Sequence, residues 1–387
     1  MDAAARPVSA RTAPGRRRCG PGASCARSVS QNALRSAGTP GPAGVEEQVN
    51  GTAEDGVTRA APPARGWPGA AAGQGHAAAL YDSADTLLAA TTPFLEEGLR
   101  AGDLVVLACS PELAETVTAP LGMRAAPIEQ DPRLCLHGTR IPEAYVAVRR
   151  GLRRAADTPS GRLRVIGQST VAEVPGGARE WLRYEVSCNA VLAGSALSVL
   201  CVLDTAVVSG PLLAQAVAAH PQLMTGSDVV DNRGYREPTS YLRALPVPRE
   251  PVEDLAPLLA VDGATALAEL RGRVRTALET AVPDVDQRED LLLAVAEVMA
   301  NAFRHGRPPV SVRLWGDRRR LICTVTDSGR GYDDPLAGFQ PAHGDDLAHG
   351  GMGLWLARKL WDSVDLLPGG PGLTVRLGTA LVPSARS

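Results

Sequence analysis

From His76 to about Arg243, stretches with apolar residues spaced three and four apart alternate with short runs that are apolar throughout. The first spacing predicts helices over about 83–100, 142–156, 177–193 and 211–219, because residues three and four apart share one helix face. The runs at 104–109, 163–166 and 198–203 are of strand length, and their continuous apolarity predicts strands covered on both faces. Helices and strands in alternation predict an α/β layer with a mainly parallel sheet.

A proline-studded stretch, ALPVPREPVEDLAP, comes next. Pro246, Pro248 and Pro251 forbid a continuous helix and predict an extended connector. Beyond it, 263–281 and 285–305 read as amphipathic helices, with Leu292, Val295, Met299, Ala302 and Phe303 on the core side of the second. The period then switches to two. VSVRLW and RLICTVTD alternate about GDRR, a hairpin with Gly316 and Asp317 in its turn. A helix at 353–362 and two strands within SVDLLPGGPGLTVRLGTALV complete an α+β sandwich, helices layered on an antiparallel sheet.

Composition adds a third region. Residues 1–72 are rich in Ala, Gly, Pro, Ser and Arg and lack the large apolar side chains that offset folding entropy, so they read as a disordered arm. Arg16, Arg17 and Arg18 read as a bare tail, or as a start codon placed too early, in preference to a nucleic-acid arm. The expected organisation is therefore an arm at 1–72, a domain at 73–245, a linker at 246–256 and a second domain at 257–383.

A formal charge of −2, spread over both halves of 387 residues, points to neither nucleic acid nor an acidic membrane. Lys359 is the only lysine, which excludes a GxxxxGK[ST] phosphate loop and removes the candidates for Schiff-base chemistry. Seven cysteines show neither even pairing nor CxxC spacing, and several sit in apolar runs, where a buried thiol in a reducing cytoplasm is the ordinary reading. No apolar stretch approaches the ~20 residues of a membrane span, and the arginine-rich start lacks the apolar segment of a signal peptide. A cytoplasmic protein is expected.

Three segments of the second domain are candidates for chemistry. In EVMANAFRHG, Glu297 and Asn301 are four apart and share a helix face, which is also what a solvated surface would show. In TVTDSGRGYDDP an apolar strand runs into Asp327, Gly329 and Gly331. That strand end can hold a ligand amine and admit a flat base, or be a plain turn. In HGGMGLWLARKL, Gly350, Gly351 and Gly353 precede a helix whose free N–H groups suit an anion, or form a simple hinge.

In that order, EVMANAFRHG, DSGRGY and GGMGLWLARKL resemble the N, G1 and G2 boxes of the GHKL ATPase superfamily. The run from ALAELRGRVRTALE to GLTVRL is most similar to the RsbW-like anti-sigma serine kinases, over about a third of the chain. The resemblance implies that Asn301 gives its amide oxygen to Mg²⁺, that Glu297 is the base for an incoming serine hydroxyl, and that Asp327 holds the adenine amino group of ATP. Gly329 and Gly331 would let the base lie flat. Gly350, Gly351, Gly353 and Leu354 would close on the phosphates, and Thr374 would stand behind the adenine. Residues 332–350 would form a mobile, acidic lid, with Tyr332 where phenylalanine is common.

The first domain, through HAAALYDSADTLLAATTPFLEEGLRAGDLVVLACSP, WLRYEVSCNAVLAG and CVLDT, resembles the MEDS sensory domain, which is similar to RecA-like folds without the phosphate loop. That implies a signal-binding cleft lined by His76, Tyr81, Glu185 and Asp204, residues that otherwise serve as core hydrogen-bonders or caps. The pair of domains resembles RsbA-type anti-sigma regulators. It implies ATP and Mg²⁺, a sigma factor, a STAS-type antagonist, a small-molecule signal and a homodimer, with no nucleic acid or membrane contact. Two other readings stand beside it. A sensor histidine kinase is opposed by the single helix and absent histidine between Pro251 and Glu297. A non-catalytic module would hold ATP structurally while sequestering a sigma factor.

Overall fold

The computed structural model describes residues 75–341, 352–369 and 372–382; the expected arm, the second half of the expected lid, Gly350 and Gly351 lie outside the described residues. The chain from 75 to 244 runs β1 (Gly75–Tyr81), α1 (Ala84–Ala101), β2 (Leu104–Ala108), α2 (Pro111–Thr118), β3 (Glu129–Gln130), α3 (Ile141–Ala155) and β4 (Leu163–Gly167). It continues through α4 (Ala178–Val191), β5 (Leu197–Asp204), α5 (Gly210–Ala218), β6 (Gln222–Thr225), β7 (Asp228–Asp231) and α6 (Pro238–Ala244). The strands form one sheet in the order β3-β2-β4-β5-β1-β6-β7, parallel except for the β6–β7 hairpin at its edge. Apolar side chains cover both faces in two separate clusters, one holding Trp181 and Tyr145 and the other Phe94 and Leu95.

The remaining elements are β8 (Leu259–Ala264), α7 (Leu267–Ala281), α8 (Val285–Arg304), β9 (Val310–Gly316), β10 (Arg320–Thr326), α9 (Gly353–Leu360), β11 (Ser363–Gly369) and β12 (Gly372–Ala380). Their sheet is antiparallel, in the order β11-β12-β10-β9-β8. Residue 263, expected in a helix, lies in β8, which pairs with β9 before α7 begins. Asp284 caps α8 by accepting the N–H of Gln287 at 2.7 Å, and Asp317 accepts two N–H groups in the β9–β10 turn. Leu292, Val295, Met299 and Ala302 of α8 are buried over the sheet with Trp361.

The connector departs from a loose tether. Glu250 pairs with Arg320 at 2.7 Å and Glu253 with Arg376 at 2.6 Å, while Val252 is buried, so the segment between the prolines is sewn onto the second sheet. Helix α4 explains why the two sheets make one compact unit. Residues 180–188 are all buried, as happens when a helix is covered on every side. Trp181, Leu182 and Tyr184 face the first core. Arg183 and Arg179 reach the other way to Asp365 of β11, which Arg376 also contacts at 3.0 Å. Arg140, just before α3, pairs with Asp362 at 2.7 Å. Gly176 (φ +83°) leaves room beside β11 that a Cβ would take, lying 2.6 Å from the Asp362 carbonyl.

Burial raises the Asp365 carboxyl, yet Arg183, Arg179 and Arg376 outweigh it and hold the group below its ordinary 3.8. A buried carboxylate among three guanidiniums fixes orientation more than it adds net stability, because desolvation cancels much of the attraction.

Candidate nucleotide site

The last two turns of α8, the end of β10 and the start of α9 converge on a cavity of about 950 Å³. Val298, Asn301, Ala302 and His305 form a stripe at helical spacing along its wall. Asp327 follows β10 and is 7% exposed; its Oδ1 accepts the Gly329 N–H at 2.7 Å, and its own N–H donates to the Leu373 carbonyl at 3.1 Å. The carboxylate is thereby locked against a glycine loop at a strand end. Gly331 follows with φ +80°, and a Cβ on Gly329 would lie 2.8 Å from Asp327 Oδ1. At the N-terminus of α9, Gly353 lies so close to the Asn301 amide that a Cβ there would collide with it.

Of the residues singled out in the sequence, Asn301, Asp327, Gly329, Gly331 and Leu354 line this one cavity, and Gly353 backs Asn301. Two others stand apart. Glu297, partly buried, is one residue off the α8 stripe and is not among the lining residues. Thr374, expected behind the base, turns the other way. Leu373 and Val375 line the cavity, so the pleat sends Thr374 to the opposite face, where its hydroxyl meets that of Thr326 at 2.9 Å. Arg307 and Arg330 also line the cavity as cations; neither carries a spacing signal of its own in the sequence, although Arg330 stands inside DSGRGY.

The first half of the expected lid is anchored. Phe339 is 1% exposed, packs with Leu336 into the core of the first domain, and lies 4.2 Å beneath the Arg358 guanidinium. Arg358 donates to the Ala337 carbonyl at 2.9 Å, Arg149 donates to Gln340, and Arg243 pairs with Asp333 at 3.0 Å. One aromatic in a segment of small and acidic residues decides this. Phe339 gains more by burial between the domains than the segment gains by freedom.

In the first domain, Tyr81 and Asp204 stand in register at the carboxyl ends of β1 and β5. His76 and Glu185 are buried elsewhere, within 3.5 Å of one another, so the four do not share one cleft.

An antiparallel sheet under three helices, with a nucleotide-sized cavity between the asparagine helix, the aspartate strand end and the glycine-headed helix, is the architecture of the GHKL ATPases. Residues 262–379 match the family of histidine kinase-like ATPase domains, and residues 75–221 match MEDS, the methanogen/methylotroph, DcmR sensory domain. The chain carries both domains, in an order consistent with the RsbA-type arrangement. Among similar proteins are the serine-protein kinases RsbW of Bacillus velezensis, 35% identical over 103 residues (24% of this chain, 64% of the kinase), and of Bacillus subtilis, 36% identical over 90 residues (20% and 56%). The RsbW of Halalkalibacterium halodurans is 35% identical over 94 residues (21% and 56%). The chain thus spans less than two thirds of the length of these curated relatives. Among the described residues, no helix is long and apolar enough to cross a membrane.

Proposed function

We propose that this protein is a cytoplasmic, ATP-dependent serine-protein kinase that acts as an anti-sigma factor by partner switching, with the MEDS domain as its sensor. What carries the reading is the lining of a single cavity by Asn301, Asp327, Gly329 and Gly331. Asp327 would accept the adenine amine through Oδ2, since Oδ1 is engaged by Gly329. The residues suit Mg²⁺ as well. The Asn301 amide presents its nitrogen to Gly353 and has a hard oxygen to offer. Mg²⁺, when bound, would neutralise phosphate charge there, and Arg307 and Arg330 would add to that. Leu336, Ala337, Gly338 and Gln340 close the cavity from the first domain's side, so a signal in the sensor would reach the nucleotide through the lid. The partners are a sigma factor and a STAS-type antagonist carrying the acceptor serine.

The test is transfer of label from γ-labelled ATP to the antagonist serine, with and without Mg²⁺. The proposal predicts label with Mg²⁺ and its loss in Glu297→Ala at unchanged ATP affinity; ATP bound with no serine labelled would overturn the kinase reading. The position of Glu297 outside the cavity lining favours a second reading, a module that holds ATP structurally while binding the sigma factor. In that case Glu297→Ala leaves every partner equilibrium unchanged.

A further inference from the structure

A second cluster lies in the first domain, away from the nucleotide cavity. His76 of β1, Glu185 of α4, Cys201 of β5 and His220 just after α5 bring one ligand atom each within 4.8 Å of all the others, every residue being buried. Four of the separations are close to one value. His76 Nε2 lies 3.4 Å from Cys201 Sγ and 3.5 Å from Glu185 Oε2. Glu185 Oε2 lies 3.4 Å from both Cys201 Sγ and His220 Nε2. The edges of a tetrahedron around an ion bound at about 2.0–2.3 Å are roughly 3.3–3.8 Å.

The far side of each ligand is already committed. Asn189 donates its amide N–H to the Ala219 carbonyl at 2.8 Å, so its oxygen is the acceptor facing His76 Nδ1 at 2.9 Å. His220 Nδ1 faces the Ala216 carbonyl at 2.8 Å, and a carbonyl can only accept. Both rings therefore carry their proton on Nδ1, which leaves a lone pair on each Nε2 aimed inward. Trp181 donates its indole N–H to Glu185 Oε1 at 2.7 Å, leaving Oε2 inward as well. His220 Nε2 is buried without a hydrogen-bond partner. Without a cation, only the Cys201 thiol proton is shared with Glu185 Oε2 among these inward atoms, and the two Nε2 lone pairs face the carboxylate unneutralised in a dry interior.

We propose that His76, Glu185, Cys201 and His220 form a closed, four-coordinate site for a divalent ion of the zinc class. Two imidazoles, one carboxylate and one thiolate are a ligand set that Zn²⁺ accepts, and buried hydrogen bonds to the remote atoms of such ligands are what orient them. As the ion enters, the Cys201 thiol releases its proton, so Zn²⁺, carboxylate and thiolate sum to zero charge. A neutral centre suits a place where these side chains are at most 5% exposed. The adjoining void, about 20 Å³, holds no substrate, so the site is structural and not catalytic. It ties β1, β5 and the end of α5 to α4, whose Arg179 and Arg183 hold Asp365 of the kinase-like domain.

The test uses the full-length chain, first purified from zinc-supplemented medium and then stripped and reloaded with Co²⁺. One zinc per chain is expected, and the Co²⁺ form should show the intense visible bands of a tetrahedral site with a thiolate-to-metal charge-transfer band. Cys201→Ser should remove the charge-transfer band and Cys188→Ser should leave it. Asn189→Ala, which keeps all four ligands, should weaken Co²⁺ binding about 10–100-fold. Folded wild-type protein that takes up neither Zn²⁺ nor Co²⁺ overturns the proposal, and so does a charge-transfer band that survives Cys201→Ser. The wild-type measurement decides the matter even if a variant fails to fold.

Discussion

The nucleotide cavity and the buried quartet of the first domain represent two ways of presenting polar groups. The cavity measures about 950 Å³, opens to solvent, and is built from loops and helix ends whose glycines leave backbone exposed to a ligand. The quartet adjoins about 20 Å³ of space, and its four buried residues come from β1, α4, β5 and the turn after α5. A large polar cavity can exchange its contents on the time scale of lid motion. A dry cluster of inward-facing ligand atoms suits a permanent occupant, the ion proposed above. On the proposals above, the first would exchange its ligand and the second would hold the fold, and helix α4, which carries Glu185 of the quartet, also holds Asp365 of β11 through Arg179 and Arg183.

The largest effect expected from breaking that link is at Asp365. Replacing it by Ala takes from Arg179 its carboxylate partner and leaves Arg183 with Glu180 and the Val364 carbonyl alone, and should cost about 3–5 kcal/mol in urea unfolding. Phe339→Ala should come next, at about 3 kcal/mol, through the lost packing of a fully buried ring. Because this ring pins the lid, limited proteolysis after Tyr332 should accelerate in the variant. Asp327→Asn should weaken ATP binding by about 1.5–3 kcal/mol, measured by calorimetry, without moving the unfolding midpoint as far as the first two do.

Acid supplies a smaller, graded version of the first experiment. Asp365 has its folded pKa below the ordinary 3.8, so its contribution to stability is fully present above that value and is lost as pH falls through the folded pKa. Amide exchange in β11 should rise only below pH ~4. The least change is expected for Arg243→Ala. Its pair with Asp333 is half-exposed or more on both sides, and its loss should shift stability by less than about 1 kcal/mol.

Much of the lining of the candidate cavity was legible because its parts are local. A capped amphipathic helix carrying Asn301, an alternating strand ending in Asp327 and a glycine-led helix each declare themselves within about ten residues, and the cavity forms where they end. Where the expected and observed placements differ, the difference is one residue of geometry. The pleat put Leu373 and Val375, not Thr374, toward the cavity, and the helical stripe passed beside Glu297. Segment composition likewise suggested a free lid, because the gain that pins Phe339 comes from a core distant in sequence, running from Ala78 to Tyr241.

By itself, then, the sequence determined the two layers, the strand lengths, the missing phosphate lysine and the local pieces of the nucleotide site. These follow from periodicity and from backbone chemistry, which act between near neighbours. Only the tertiary structure decided that α4 would be buried between two sheets, that the linker would be held by Arg320 and Arg376, and that His76, Glu185, Cys201 and His220 would meet. Those four are separated by 109, 16 and 19 positions and follow no ligand spacing, since a parallel sheet brings together residues that crossover connections keep far apart along the chain.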